Sequence, residues 1–421
     1  MLMGEPMTGQ DGHAGLAGAL RGTPFHRGTV ARMASTWWFG WGGYVVPDVY
    51  TDPVSELRAI RGAVSMNEMS PIPKIEVRGA EAAACVDYLI TRDASRMDVG
   101  QAWYTPWCTH DGKVVADGIV FRFEPERFVF SGDRCETFFR KEAVGFDVEV
   151  ADVTDDHGIL AVQGPRSRDV LEAVTGEDWG SLRFSRFRAA EIDGVPVNVA
   201  RQGFTGELGF ELWVERSGGE RVWDAVASAG APFGIQPAGE YAIDIARVEA
   251  GLILISADYT GAGPDAPSAD TAVNPPDFVT PYELGLGHCV KLDKAADFIG
   301  RGALAAEHRR GPSRRVVGLT FDVEDVVRLF LDAGLSPDVS PRVRWDHLRL
   351  RAGNDVVGRA SSVTWSPTTS RLIGFGLVPA ELSGPGTVLA VQWADFWGRE
   401  LGEAAAEVCE YPFIDLDRET G

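Results

Sequence analysis

The chain has 421 residues, of which 45% are hydrophobic and 24% are charged, a balance typical of a folded globular protein. This length exceeds what one hydrophobic core usually serves, so two or three packed domains are expected. Lys and Arg total 40 against 61 Asp and Glu, and the net charge of −21 argues against nucleic acid as a partner because phosphate would be repelled.

Membrane insertion and disulfide bonding are also not expected. The longest apolar run, Gly251 to Ala257, is far shorter than the roughly 18 residues that cross a bilayer. Residues 1–30 are rich in Gly and Ala but lack the features of a signal peptide, and we expect them to form a flexible or lightly docked tail. The cysteines are scattered and never form a C-x-x-C pair, which predicts reduced thiols in a cytoplasmic protein; they are Cys85, Cys108, Cys135, Cys289 and Cys409.

Short strands and amphipathic helices follow one another without regular alternation, which favours an α+β fold over a doubly wound parallel sheet. The predicted strands are Pro73–Arg78, Val114–Phe123, Arg127–Ser131, Val195–Arg201, Glu211–Val214 and Val316–Val323. The predicted helices are Glu81–Ile90, Ser167–Val174 with Gly176 as C-cap, and Gly219–Ala229 with Gly230 as C-cap.

Two segments interrupt this pattern. Residues 261–281 contain five prolines with Gly, Ser, Asp and Asn, a composition that predicts a long loop acting as a lid or pocket wall. The charged segment Glu307–Arg315 precedes a new run of strands, so a last domain is expected over residues 313–421.

The most informative segment is "GQAWYTPWCTHDGKVVADGIVFRF", residues 100–123. It predicts a turn at Asp111-Gly112 followed by a strand that carries a single carboxylate, Asp117, among Val and Ile residues. A carboxylate in an apolar strand costs free energy unless it is paired or used in function. The alternative is that Asp117 lies at the strand end and caps a turn.

This segment resembles the "G-x-A-x-Y … G-G-x-x-D-D-x-x-V" region of the glycine-cleavage T-protein family, which includes folate-dependent demethylases and the C-terminal halves of dimethylglycine and sarcosine oxidases. Further blocks follow in the family's order over about residues 35–415. They are "LAVQGP" at 160–165, "GFTGELGFEL" at 203–212, "ARVEAGL" at 246–252, "DFIGRGAL" at 297–304 and "SSVTWSPTTSRLIGFGLV" at 361–378.

The resemblance implies an α+β cloverleaf of three domains around a central channel that holds tetrahydrofolate. Residues 31–312 would form two folate-binding domains, and residues 313–421 a small antiparallel β-barrel. The implied activity is transfer of a one-carbon unit to or from tetrahydrofolate by a cytoplasmic enzyme.

The resemblance also implies roles for individual residues. Glu211 would bind the amino edge of the pterin bidentately, and Tyr104 and Phe204 would sandwich its ring. Asp117 occupies the position of the family's catalytic Asp, with Ala116 in place of the first Asp of the pair. The alternatives are a charge at a strand start for Glu211 and core packing for Phe204, where the family usually has Tyr.

Other candidates have equally plain alternatives. Arg247 could bind the cofactor or form a structural ion pair with Glu249. The aromatic residues of the segment 37–44 match a pocket-lining segment of the family, although most of these rings are expected in the core. The substrate-pocket candidates are Trp41, Tyr44, Trp103, Trp107 and Tyr259, and Trp365 is a cofactor-binding candidate. No ligand spacing predicts a metal site.

Three departures from the T-protein pattern favour a demethylase that moves a methyl or methylene group from a small O- or N-methylated substrate to tetrahydrofolate. Ile243 replaces an Arg, "MNEMSPIP" at 66–73 lacks a His, and residues 261–281 replace a short link. Three alternatives remain: aminomethyltransferase action on a lipoyl carrier protein, biosynthetic donation from folate to an acceptor, and a non-catalytic folate-binding regulator. The regulators carry a K-G-C-Y-x-G-Q-E motif, where this chain has "RQGFTGELG".

Overall fold

The computed structural model describes residues 20–266 and 274–416. The strands in these ranges are β1 Arg21–Gly22, β2 Trp38–Trp41, β3 Tyr44–Pro47, β4 Val64–Glu68, β5 Lys74–Arg78, β6 Ala102–Cys108, β7 Val114–Glu124, β8 Arg127–Gly132, β9 Glu149–Asp152, β10 His157–Gln163, β11 Phe187–Ile192, β12 Val195–Ala200, β13 Gly209–Glu215, β14 Ile235–Pro237, β15 Arg314–Phe321, β16 Leu348–Ala352, β17 Asp355–Ser366, β18 Arg371–Pro379, β19 Val388–Ala394 and β20 Glu400–Cys409. The helices are α1 His26–Arg32, α2 Pro53–Gly62, α3 Ala82–Leu89, α4 Glu136–Glu142, α5 Ser167–Thr175, α6 Gly219–Gly230, α7 Glu240–Glu249, α8 Arg301–Arg310 and α9 Val323–Asp332.

The first two domains are intertwined in sequence. The first is built on a six-stranded sheet of order β11-β12-β13-β10-β4-β14, and the second on a five-stranded sheet of order β6-β7-β8-β5-β9. The second sheet is inserted in the chain between β4 and β10 of the first. The helices α5 and α6 pack on each other beside the first sheet, whereas α3 and α4 pack on the second.

The third domain is a closed six-stranded barrel of order β15-β18-β17-β16-β19-β20, in which every neighbouring pair is antiparallel. Its own core includes Leu319, Leu350 and Val391. Together with the mixed helix and sheet of the first two domains, this barrel confirms the predicted α+β fold with a C-terminal antiparallel β-barrel.

Two further apolar clusters join the domains. One combines Leu57 of α2, Cys108 of β6, Ile245 of α7 and Phe375 of β18, so it holds residues of all three domains. The other, which we call the junction cluster, combines residues of the two sheets and of α7: Met69, Ala102, Phe121, Val129, Ile159, Ala161, Phe187, Ala200, Trp213 and Ile243. The space between the domains is therefore lined by ordered side chains from several elements.

The predicted elements form close to the predicted positions, and the differences have local causes. Gly176 has φ of +72° and ends α5 as expected. Gly230 does not act as a C-cap, because it keeps helical φ and is packed tightly against Ile235. The chain continues through a short 3₁₀ turn, and Gly234, with φ of +78°, supplies the left-handed residue instead.

The predicted flexible tail, residues 1–30, is only partly described. Residues 1–19 lie outside the described residues. The remainder is docked on the fold, because Arg21 and Gly22 pair in parallel with β3, and Phe25 is fully buried beside Trp223 of α6. Burial of the Phe25 ring holds this segment against the first domain. The Gly- and Ala-rich composition of residues 1–30 did not indicate this contact.

Within the described ranges no helix is both long and apolar enough to span a bilayer. All five cysteines are free thiols, and four of them are buried.

Replacing Phe25 by Ala tests whether this N-terminal segment belongs to the fold. We expect a loss of about 3 to 5 kcal/mol in unfolding free energy, since a fully buried ring leaves a cavity. Chemical denaturation followed by tryptophan fluorescence measures it. The exposed Leu20, replaced by Ala, is the control and should change stability by less than about 0.5 kcal/mol. Equal stability of the two variants would show that Phe25 contributes nothing.

Candidate functional site

Asp117 lies in the interior of β7, opposite Pro106 of β6, and does not cap a turn. Alternation along the strand puts Ala116 and Val120 into the core of the second domain. Asp117 therefore shares the opposite face with Ile119 and Phe121, both of which pack in the junction cluster. The carboxylate points towards the space between the domains.

Two phenols hold the Asp117 carboxylate. Tyr104 Oη donates a hydrogen bond to Oδ2 over 2.6 Å, and Tyr259 Oη donates to Oδ1. Burial raises the pKa of Asp117 above its ordinary value, and the two phenol hydrogen bonds act against that rise. A carboxylate held in this way has a fixed orientation and a raised affinity for a proton, the properties required of a general acid–base.

Glu211 is a second carboxylate with an altered pKa. It lies inside β13, flanked by Ala161 of β10 and Ala200 of β12, and is not at a strand start. Burial raises the pKa of Glu211 to about 7, against lowering contributions from the Trp213 indole and the buried ammonium of Lys74. The carboxyl group therefore gains or loses its proton near neutral pH.

Asp117 and Glu211 face the same space. Ile119 follows Asp117 by two residues and Trp213 follows Glu211 by two, so each apolar side chain shares a strand face with its carboxylate. Both apolar side chains contact the junction cluster, and Phe204 and Trp41 pack against the same cluster. The structure thus brings together four predicted site residues: Asp117, Glu211, Phe204 and Trp41. Tyr104 and Tyr259 join them through their bonds to Asp117.

Arg247 is a structural residue, in contrast to its predicted cofactor-binding role. Its side chain is fully buried and donates to Asp244 over 2.8 Å, to Asp258 over 2.7 Å and to Ser362 over 2.7 Å. The expected pair with Glu249 does not form either, because the buried Glu249 binds Arg61. The partners of the guanidinium therefore all belong to the protein itself.

Two predicted pocket residues lie elsewhere. The hydroxyl of Tyr44 binds Asp155, and Arg21 stacks over the Tyr44 ring at 4.6 Å, in a cluster whose charged ends reach the surface. Trp107 is fully buried in the second domain, with Phe130 and Phe139 5.6 and 5.5 Å away between ring centroids. Both rings are held by local packing that a sequence pattern does not distinguish from pocket lining.

Two further candidates pack outside the junction cluster. Trp103 is half-buried against the core of the second domain and lies under the guanidinium of Arg92. Trp365 is half-buried against the barrel core. The roles predicted for these two residues remain predictions.

The sequence analysis missed Trp345 and Asp258. Trp345 packs against the interdomain cluster that contains Tyr259, and its Nε1 donates to Asp244 over 2.8 Å. Asp258 directly precedes Tyr259. Its carboxylate accepts hydrogen bonds from Arg247, Leu254 N, Ser361 and Ser362, and these bonds hold the backbone next to Tyr259 in place. Neither residue lies in a recognised block, so only their partners in space identify them.

The loop 261–281 is anchored at both described ends. Ala262 N donates to Val114 O of β7, and the Asn274 side chain bonds Trp345 O and His347 N over 2.8 and 2.7 Å. Residues 267–273 lie outside the described residues. The role of this loop as a lid or pocket wall remains a prediction.

Together the three domains and this site define a protein of the aminomethyltransferase type. The fold is similar to that of glycine cleavage system aminomethyltransferase T from Bartonella henselae, with a TM-score of 0.76, 22% sequence identity, and coverage of 94% of this chain and 99% of that one. Residues 26–294 match the GCVT N-terminal domain, and residues 333–415 match the glycine cleavage T-protein C-terminal barrel domain. The chain belongs to the glycine cleavage T-protein family.

Curated relatives agree with this assignment. The chain is 30% identical over 377 residues to an aminomethyltransferase of Desulfitobacterium hafniense, covering 88% of this chain and 93% of that protein. It is 32% identical over 370 residues to an aminomethyltransferase of Streptomyces avermitilis, covering 86% of this chain and 89% of the relative.

Replacing Arg247 by Met tests its structural role. The change leaves the buried Asp258 and Asp244 without their cation, so we expect a loss of about 3 to 5 kcal/mol in unfolding free energy. Thermal and chemical denaturation measure the effect. The exposed Arg58 of α2, replaced by Met, should be nearly neutral. Undiminished stability of the Arg247 variant would contradict the structural role.

Proposed function

We propose that this protein is a tetrahydrofolate-dependent one-carbon transferase in which Glu211 binds the pterin and Asp117 transfers the proton. The observation that carries the proposal is the placement of two half-buried carboxylates, one held by two phenols, around a single apolar cluster. Family membership supports the same reading, because the matching domains span both carboxylates.

Glu211 suits the amino edge of a reduced pterin. That edge presents two parallel N–H donors, which a carboxylate accepts bidentately. The apolar face around Glu211, formed by Trp213, Phe204 and Trp41, matches a flat ring that must leave water. The residues present therefore fit the ligand in apolar character and in hydrogen-bonding chemistry.

Asp117 suits the nitrogen chemistry at the other end of the ring. Tetrahydrofolate supplies N5 and N10 as the atoms that accept or release the carbon. Asp117 accepts the proton that such a nitrogen loses, and Tyr104 and Tyr259 keep the carboxylate oriented while its charge changes.

The finer proposal is a demethylase that takes its carbon from a small methylated substrate. It is supported by Ile243, which stands where the T-protein pattern has an Arg and is buried in the junction cluster. The loop 261–281 supports it as well. This loop replaces a short link of the T-protein pattern and bonds to Trp345, so the substrate entrance should differ from that of the T-protein.

Aminomethyl transfer from a lipoyl carrier protein is the second candidate, favoured by the names of the curated relatives. The two activities separate in one assay. Tetrahydrofolate is incubated either with a panel of methylated compounds or with an aminomethylated lipoyl carrier. If ammonia is released in the arm with the aminomethylated carrier and none of the methylated compounds reacts, the second candidate is correct.

Asp117→Asn and Glu211→Gln should have different effects. Loss of the proton acceptor should lower kcat by at least about 100-fold while reduced folate still binds. Loss of the Glu211 charge should weaken folate affinity by about 10- to 100-fold, because the charged hydrogen bonds are lost. Methylated folate is quantified by mass spectrometry and binding by calorimetry. Asp111→Asn and Glu215→Gln, both at exposed positions, are the controls. Unchanged turnover in Asp117→Asn would reject the catalytic assignment.

Folate affinity should depend on pH through Glu211. Since the ionised carboxylate accepts the pterin donors and its pKa is about 7, affinity should be nearly full by about pH 8 and should fall below pH 7, with a limiting slope of about tenfold per pH unit. Calorimetry between pH 5.5 and 8.5 measures the profile. Glu211→Gln should flatten the profile, and a wild-type profile without a slope in this range would contradict the assignment.

A further inference from the structure

A second aspartate, Asp133, follows the end of β8 and lies beside Asp117. The strands β7 and β8 pair antiparallel, and Gly118 is opposite Gly132 at the end of the ladder. Continuing this register by one residue puts Asp133 opposite Asp117. Side chains directly opposite each other in an antiparallel pair lie on the same face of the sheet, with Cβ atoms about 5 Å apart.

The alternation of side chains along β8 gives the same placement. Phe130 packs in the core of the second domain, whereas Val129 packs in the junction cluster. Asp133 follows Val129 by four residues, so it faces the same space between the domains. The two backbones stay close to the end of β8, because a Cβ atom on Gly132 would lie 2.7 Å from the carbonyl oxygen of Asp117. The two carboxyl groups are therefore neighbours on the face that holds the candidate site.

Neither carboxylate of this aspartate pair, Asp117 and Asp133, forms an ion pair with the part of the chain that the structure describes. Asp117 accepts its two phenol hydrogen bonds, and Asp133 Oδ1 accepts one from the backbone N–H of Arg134 over 2.7 Å. Only one of the neighbouring titratable groups, the exposed Arg134, carries a positive charge. These groups are Tyr104 of β6, Asp258 and Tyr259 after α7, Arg134 and Cys135 before α4, Asp265 of the loop 261–281, and Cys289.

Two carboxylates this close repel each other, so the first proton binds to the pair more tightly than to an isolated carboxylate. Burial raises the pKa of Asp117, and the charge of Asp133 raises it further, against the two phenol hydrogen bonds. Burial also raises the pKa of Asp133, and the charge of Asp265 adds to the rise, whereas Arg134 lowers it. The surroundings of both residues therefore favour one proton on the pair over two negative charges.

We propose that Asp133 is the second carboxylate of the proton acceptor: the aspartate pair shares the proton that Asp117 takes up, and the charge of Asp133 makes Asp117 a stronger base. Asp133 is a positioning residue in this scheme, because it acts on the reaction through Asp117 and needs no contact with the substrate. Its role in the reaction rests on the proposed function, whereas the coupling of the two carboxyl groups does not.

The proton transfer balances without a further reactant. The N–H bond of the folate nitrogen breaks, and its electron pair stays on the nitrogen. An O–H bond forms on Asp117, so the pair changes from two negative charges to one. The proton can then move to Asp133 without a further change in charge. Asp133 is half-buried, so it can release the proton to water after the reaction.

The coupling is tested without folate, by carbon-13 NMR titration of protein labelled at the aspartate carboxyl carbons. The signals of Asp117 and Asp133 are assigned from the two single Asn variants. In the wild type both signals should report two separate titration steps, because the groups are coupled. Asp133→Asn should lower the pKa of Asp117 by about one unit, since the repelling charge is lost. The exposed Asp147, changed to Asn, is the matched control and should leave it unchanged. A pKa of Asp117 that does not fall in Asp133→Asn would overturn the proposal.

Turnover then separates this inference from the proposed function. Ionised Asp117 is the base, so kcat should fall as the pH falls through the pKa of Asp117. Asp133→Asn should move this fall about one unit lower in pH and reduce the plateau of kcat by roughly three- to tenfold, because a weaker base removes the proton more slowly. Asp133→Glu should restore much of both. Coupling in the NMR titration without any folate turnover in the wild type keeps the aspartate pair and rejects the proposed function. Folate turnover with the same pH profile in Asp133→Asn keeps the proposed function and rejects the role of Asp133.

Discussion

The site depends on how Asp258 and Tyr259 are fixed between the domains. Asp258 accepts hydrogen bonds from α7 through Arg247 and from the barrel through Ser361 and Ser362. Two consecutive serines reach the same carboxylate because β17 is irregular there and Ser362 has φ of +49°. Tyr259 follows directly and donates to Asp117 of the second domain. Three domains thus converge on one pair of residues, and the orientation of the central carboxylate follows from their docking.

Burial controls the chemistry of the carboxylates in this acidic protein. Asp117 and Glu211 both have pKa values raised by burial, but each has a different environment. Asp117 accepts hydrogen bonds from two phenols, whereas Glu211 has an apolar face and a nearby Lys74. Under the proposed function the same functional group therefore serves two purposes: proton transfer and recognition of a donor edge.

Much of the fold could be predicted from sequence, because strand alternation and ordered motif blocks are local signals. Asp117, Glu211 and Tyr104 lie inside such blocks and could be singled out in the same way, while their roles remain proposals. The structural roles of Arg247, Tyr44 and Trp107 could not be predicted. Each of these side chains is held by partners elsewhere in the chain, and a sequence motif does not show whether such a side chain packs in the protein or lines a pocket. Trp345 and Asp258 were missed for the same reason: Trp345 bonds Asp244, and Asp258 bonds Ser361 and Ser362, all about 100 residues away in the chain.

The most direct measurement is a crystal structure of the protein with 5-formyltetrahydrofolate. The account predicts that the pterin lies against the junction cluster, with its amino edge on the Glu211 carboxylate and its N5 side turned towards Asp117. A folate bound elsewhere, or bound with both carboxylates pointing away from the ring, would contradict it.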